Sequence, residues 1–144
     1  MLNMRTKYAL HALIALAEVE TSPVPAERIA AAAHVPRKFL EAILADLAKA
    51  GIIVSRKGRG GGHRLARKPK DIAMTEVIRL FNGAIALVPC VSLNFYETCA
   101  ECPDEETCAV HDVFLEVRVA TVRMLEKATL ADLLRRKAKK SGII

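Results

Sequence analysis

Tryptophan is absent from this sequence and other aromatics are sparse, with two Tyr and four Phe in 144 residues, while 52% of the chain is apolar. That balance excludes a mainly disordered chain, and it means the core is built from Ala, Leu, Ile and Val, the vocabulary of packed helices. A mainly α fold is expected. Also lacking is any apolar run approaching the roughly 18 to 20 residues of a membrane span, or a small-residue cleavage site after the first apolar segment. No membrane partner and a cytoplasmic location are therefore expected, and in a reducing compartment the four cysteines point to metal binding or redox chemistry before structural disulfides. No nucleophile and base are paired as hydrolytic catalysis requires, so the chain does not read as an enzyme. Internal repeats and low-complexity stretches are missing too, and the length suits one functional unit.

Positive charge is present but unevenly placed. Residues 1–70 hold 13 Lys/Arg against 5 Asp/Glu, a net of +8, and residues 71–144 hold 9 against 11, a net of −2. The first half therefore suits a polyanion. From Cys90 to Val117 there are Glu97, Glu101, Asp104, Glu105, Glu106, Asp112 and Glu116 with no Lys or Arg, a segment that DNA would repel.

Apolar positions Tyr8, Leu10, Leu13, Ile14, Leu16 and Ala17 predict a first helix over Thr6 to Val19, ended by Thr21-Ser22-Pro23. Pro25 opens a short Ala-rich helix, Ala26 to Ala33. After His34-Val35 a second begins at Pro36 and runs to about Ala50, closed by Gly51. Two helices across a tight turn are a helix-turn-helix. Ile52 to Ser55 and His63 to Ala66 read as short strands, with Arg56 to Gly62 between them, so a basic wing follows at once. A further helix is expected from Met74 to Phe81, stopped by Asn82-Gly83, and a long one from about Glu106 to Lys127. On the latter Val110, Phe114, Val117, Thr121, Met124 and Ala128 alternate by four and three, a coiled-coil-like seam for a second copy of the chain. Thr129 reads as the N-cap of a last helix, Leu130 to Leu134, before a basic tail from Arg135 to Lys140.

The candidate DNA-contacting residues follow from this layout. Pro36 fixes the entry of the recognition helix, Arg37 and Lys38 can reach major-groove edges or phosphates, and Glu41 one turn on can accept from cytosine's amino group. Phe39 stands beside them, and Arg5, Lys7 and Tyr8 join from the first helix. In the wing, Gly60 and Gly61 let the tip lie flat in a groove, while Arg56, Lys57, Arg59 and Arg64 suit phosphates or a narrow minor groove. A phosphate-binding loop is the other reading of these glycines. It fails because no Lys-Ser/Thr follows and no strand passes into a helix there.

The second constellation is Cys90, Cys99, Cys102, Cys108 and His111, all within 22 residues. Thiolates and imidazole suit iron–sulfur clusters or zinc, zinc being the poorer fit because the spacing departs from paired Cys-x-x-Cys knuckles. Cys99 and Cys102 alone form a Cys-x-x-Cys pair that could be a dithiol switch. Of the other histidines, His11 reads as a core or interface residue, His34 as a turn residue and His63 as a wing residue.

Tyr8-Ala9-Leu10, Pro36 with Leu40-Glu41, the wing run from Arg56 through Arg59-Gly60-Gly61-Gly62 to Arg64-Leu65, and the late cysteines resemble the Rrf-type winged-helix repressors, the group containing IscR, NsrR and RirA. The resemblance spans about Leu2 to Leu134. It implies a homodimer formed through the long helix, a roughly palindromic double-stranded operator, and an iron–sulfur cluster that alters DNA affinity. By position it implies Cys90, Cys102 and Cys108 as ligands with His111 as the fourth. Here the gap from Cys90 to Cys102 is longer than in IscR-like proteins and contains the additional Cys99. Some relatives take a ligand from the partner's first helix, where Lys7 stands here and His11 could serve.

These readings divide the chain into a winged helix-turn-helix region at 1–83, a cysteine-containing sensor loop at 84–108, and a dimerisation helix with its tail at 109–144. They predict a regulator, a repressor first, sensing iron, redox state or nitric oxide through a 2Fe–2S or 4Fe–4S cluster. The rivals are a repressor with a thiol–disulfide switch and no cluster, and a thiol oxidoreductase or metal-binding interaction protein.

Overall fold

The computed structural model describes residues 2–19, 22–102 and 104–142. Along them run helices α1 (Met4–Ala17), α2 (Ala26–Ala33) and α3 (Arg37–Lys49), strands β1 (Ile53–Arg56) and β2 (Gly62–Leu65), then α4 (Met74–Asn82), α5 (Ala109–Lys127) and α6 (Leu130–Lys140). Single 3₁₀ turns at Pro69–Asp71 and Pro89–Val91 punctuate the connections. The fold is mainly α with a two-strand antiparallel wing.

Helix α1 is the central post, packed against α2, α3, α4 and α6. Its side chain Asn3 caps it, accepting from Thr6 N at 2.8 Å and Thr6 Oγ1 at 2.9 Å. Asn3 also ties α1 to the end of α4, its backbone N donating to Asn82 Oδ1 at 2.8 Å and its amide to the Phe81 carbonyl at 2.7 Å. Because α1 is surrounded, its buried set is broader than one stripe. Ala9 and Ala12 join Leu13 at full burial, while the expected core residues Tyr8, Leu10, Ile14 and Ala17 are half-buried. Small side chains there let neighbouring helices approach closely. The helix ends at Ala17 and not Val19, and Thr21, expected in the stop signal, lies outside the described residues. His11, read as a core or interface residue, is exposed and so is not part of the core.

The turn between α2 and α3 passes through His34 in the left-handed conformation (φ 54°), a turn residue as expected. Helix α3 buries Leu40, Ile43, Leu44 and Leu47, each contributing about 1.5–3 kcal/mol of apolar burial. It closes with a paired C-terminal motif in which Gly51 N donates to Ala48 O and Ile52 N to Leu47 O, both at 3.0 Å. Gly51 supplies the positive φ of 72° that this motif requires.

In the wing Ile53 faces Leu65 and Arg56 faces Gly62, one residue away from the expected strand limits. The segment before α2 adds a third line, since Val24 and His63 exchange backbone hydrogen bonds at 2.8 and 2.9 Å. A Cβ on Gly62 would lie 2.7 Å from the Val24 carbonyl, so glycine is required where these backbones cross.

After α4, with Val77 and Ile78 buried, the described residues of 84–108 carry no helix or strand beyond the turn at Pro89–Val91. Helix α5 starts at Ala109, three residues later than expected from about Glu106. The junction of α5 and α6 is stitched to the start of α4: Met74 N donates to Ala128 O and Leu130 N to Ile72 O, each at 2.9 Å. Thr129 and Asp132 form a capping box that opens α6. The expected basic tail is corrected by the structure, because α6 continues to Lys140. Leu130, Leu133 and Leu134 share one face, with Leu130 and Leu133 in or against the core of α1 and α4, and Lys137 Nζ reaches Glu18 Oε1 at 2.5 Å. That packing holds the charged residues in helical register.

Candidate nucleic-acid interface and cysteine cleft

The exposed edge of α3 begins at Pro36, which occupies the N-cap position, so Arg37 and Lys38 fall in the first turn. Arg37 is already engaged: its NH2 lies 2.8 Å from Glu27 Oε1 on α2, and its Nε 3.1 Å from Glu41 Oε1 one turn on. Phe39, 45% exposed, stacks at 6.2 Å from the Tyr8 ring, and Lys38 Nζ sits 4.8 Å above it. Tyr8, Lys38 and Phe39 thus form one cationic–aromatic patch between α1 and α3. Arg5 is placed differently, paired with Asp46 Oδ2 at 2.6 Å and lying 5.8 Å from the Phe81 ring. Lys7 is exposed.

The wing presents Arg56, Lys57, Arg59 and Arg64 to solvent. At its tip a Cβ on Gly61 would lie 2.3 Å from the Arg56 carbonyl, which fixes glycine there. Ser55 Oγ and His63 Nδ1 meet at 2.8 Å across the strands, and burial pulls the His63 imidazole below its ordinary range. Glu27 is a member of this surface that the sequence reading passed over. Its signal was weak, an acid in the first turn of a short helix, and only the α2–α3 crossing shows that it meets Arg37.

Cys90, Cys99, Cys102, Cys108 and His111 line one open cleft of about 650 Å³. All four thiols are free, Cys99 exposed and the other three half-buried. Cys108 caps α5, its Sγ accepting from His111 N at 3.5 Å. That N–H, and then the Cys102 thiol, pull Cys108 below the ordinary thiol range. The same contact with Cys108, followed by partial burial, pushes Cys102 up. Cys99 Sγ donates to Glu101 at 3.4 Å and Cys102 Sγ to the Asp104 carbonyl at 3.3 Å. Tyr96 closes the loop on itself by donating to Glu105 Oε1 at 2.8 Å, and that carboxylate holds the phenol above its usual range.

His111 Nδ1 is shielded from solvent with no hydrogen-bond partner among the described residues; the Asp112 carboxylate, 3.6 Å away, lies beyond good hydrogen-bond length. An orphaned imidazole nitrogen among four thiols is a donor set suited to iron. Among the described residues no three His, Cys, Asp or Glu donors converge on one point. The chemistry of the set therefore fits a cluster, while gathering the thiols requires movement of the Cys99–Cys108 loop.

Helix α5 has two apolar faces. His111, Phe114, Leu115, Arg118, Thr121, Val122 and Leu125 are half-buried, and beside them Val110, Val113, Val117, Ala120 and Met124 are exposed. Of the expected seam, Val110, Val117 and Met124 stand on this exposed stripe, whereas Phe114 and Thr121 lie at its border with the covered face. Val113 and Ala120 were missed, because a four–three count started from Val110 can run down either edge of the stripe.

A helix-turn-helix with a basic wing, joined to a long arm helix that begins in a cysteine cleft, defines a winged-helix DNA-binding regulator. The chain belongs to the Rrf2 family, described as iron-dependent transcriptional regulators, whose model matches residues 2–136. It is 39% identical over 138 residues to an rrf2-like HTH-type transcriptional regulator of Rhodobacter capsulatus, covering 93% of this chain and 92% of that one. It is 34% identical to the HTH-type transcriptional regulator NsrR of Geobacillus kaustophilus, covering 92% and 88%. Among solved structures it is similar to CymR, the global cysteine regulator of B. subtilis, with a TM-score of 0.76, 25% identity and coverage of 94% and 97%. It is likewise similar to T. potens IscR, at 0.75, 26%, 97% and 90%. These are transcriptional regulators and not enzymes. No described helix is long and apolar enough to cross a membrane.

Proposed function

We propose that this chain is a cytoplasmic, homodimeric repressor that reads a roughly palindromic operator and senses iron, redox state or nitric oxide through an iron–sulfur cluster, 2Fe–2S or 4Fe–4S. The observation that carries this reading is the single cleft lined by all four cysteines and His111. Residues 1–83 act as the DNA-binding region, 84–108 as the sensor loop, and 109–144 as the dimerisation arm with α6. Cys90, Cys102, Cys108 and His111 would hold the cluster, with Cys99 as a spare thiol. When bound, it supplies iron that exchanges electrons and reacts with nitric oxide.

The chain's own residues explain how such an event reaches DNA. Cys108 is the cap of α5, so whatever holds its sulfur sets the start of a 19-residue helix. At the far end of that helix the Ala128 carbonyl accepts from Met74 N, the first N–H of α4. If two copies pair along Val110, Val117 and Met124, a shift of α5 alters the spacing of the two α3 helices, and half-site spacing governs palindromic recognition. Arg37, Lys38, Phe39 and Glu41 then read base edges, and Arg56, Lys57, Arg59 and Arg64 hold phosphates.

A second reading is favoured by the four free thiols that line one cleft. A cluster-free switch would join two of them, Cys99 with Cys102 as the Cys-x-x-Cys pair. Two thiols would lose two protons and two electrons to a peroxide, which leaves as two waters. Native mass spectrometry with iron and acid-labile sulfide assays on protein isolated without oxygen tests both. Stoichiometric iron and sulfide supports the cluster. Metal-free protein that loses two protons on treatment with peroxide supports the switch and overturns it.

A further inference from the structure

The search beyond the cysteine cleft leads to a cavity of about 290 Å³ between α4, residues 84–87 and α5. Its walls are mostly hydrocarbon: Ile78 from α4, Ala84 and Ile85 from the strap, Val117 and Leu125 from α5. Arg118 also lines it. The Nε of that guanidinium is shielded from solvent and has no hydrogen-bond acceptor among the described residues.

Arg118 as a whole is half-buried, but an N–H shielded from solvent without an acceptor costs roughly 1–3 kcal/mol, and an anion that draws the guanidinium onto itself recovers that cost. The other polar groups in the wall are few. Asn82 already spends its Oδ1 on Asn3 N, and Thr121 offers one hydroxyl. One cation among apolar walls suits a monoanion with a short hydrocarbon body. A doubly charged phosphate would find too few donors. The volume is at the small end of ligand sites, which begin near about 300 Å³.

We propose that this cavity binds a small monocarboxylate, its carboxylate on Arg118 and its hydrocarbon against Ile78, Ile85 and Leu125. The site joins the DNA-reading body to the arm, since α4 belongs to the first and α5 to the second, and the strap between them leads into Cys90. A ligand there stiffens the angle between body and arm, an input separate from the cysteines. The proposal stands whether or not a cluster is bound. The exposed stripe runs along the rim at Val117, so a docked second copy would roof the cavity.

The test titrates the protein with butyrate, 4-methylpentanoate, benzoate and octanoate, and with the neutral amide of each, by calorimetry and by the arginine side-chain Nε–H resonances. Expected is saturable binding of at least one acid at one site per chain, with its amide weaker by about tenfold or more, and a shifted Arg118 resonance assigned by its loss in Arg118→Met. Arg118→Lys should retain part of the preference for acid over amide. Acids and amides binding alike, an unmoved Arg118 resonance, or no saturation by any acid would overturn it. The last result would place a side chain of the second copy in the cavity. The acid–amide comparison on wild-type protein needs no variant to fold.

Discussion

From Ala9 to Ile78 every helix contributes to one core, with Leu13, Ile29, Leu40, Leu44, Leu47 and Val77 at 1% exposure or less. From Ala84 to Ala128 only Val91 and Ser92 are buried among the described residues, and α5 buries none of its side chains fully. The first region packs most of its apolar side chains into that core and leaves Phe39 and Val54 exposed. The second leaves Leu87, Leu93, Phe95, Val110, Val113 and Met124 exposed, four thiols free, and two ring or guanidine nitrogens without partners. A region so incomplete finishes its packing with something from outside, which is how a sensing and pairing arm differs from a reading head.

The largest test of this contrast is in the core. Leu44→Ala should destabilise by about 2–5 kcal/mol in urea unfolding, whereas Leu93→Ala, at a residue 70% exposed, should stay within about 0.5 kcal/mol. Comparable losses would erase the distinction. Next comes pairing: Val117→Glu with Met124→Glu should turn a dimer into a monomer in sedimentation while leaving far-ultraviolet circular dichroism intact. Operator affinity should fall by about a hundredfold, since the second half-site is no longer tethered. A variant that remains dimeric would move the interface elsewhere.

A smaller effect is expected where the regions join. Thr129→Ala removes the cap of α6 and should cost about 1 kcal/mol. The Thr129 backbone N–H, and then its hydroxyl, hold the Asp132 carboxyl below the usual range. A carboxyl depressed in the folded state stabilises above its unfolded range and loses that stabilisation as pH falls through its folded one. The melting temperature of Asp132→Asn should accordingly fall less steeply on acidification than that of wild type, and parallel curves would remove Asp132 from the acid response. The smallest effect separates the charge fields of the two regions. Arg59→Ala should lower the salt slope of DNA binding by about one, and Glu106→Gln should leave the slope unchanged.

The DNA-reading half was legible because its signals are local. Leu40, Ile43, Leu44 and Leu47 state the buried face of α3 by spacing alone, and Gly51 and Thr129 mark helix ends through backbone geometry. What escaped depends on neighbours. Ala9 and Ala12 look like filler until α1 is surrounded. The run from Arg135 to Lys140 reads as a tail until Leu133 docks against the core. The cysteines announced their chemistry, but the cleft that gathers them, the shielded nitrogen of His111 and the cavity beside Arg118 belong to the way a loop folds over a helix, which no period encodes.

The most direct test of the account is an anaerobic fluorescence-anisotropy titration on a duplex selected by the wild-type protein, before and after exposure to nitric oxide or peroxide, beside a Cys102→Ala/Cys108→Ala variant. Wild type should change its affinity by about tenfold or more, in line with typical coupling between sites, and the variant should bind with an affinity that neither reagent alters. Equal, unresponsive binding by both proteins would leave a winged-helix DNA reader and contradict its cysteine sensor.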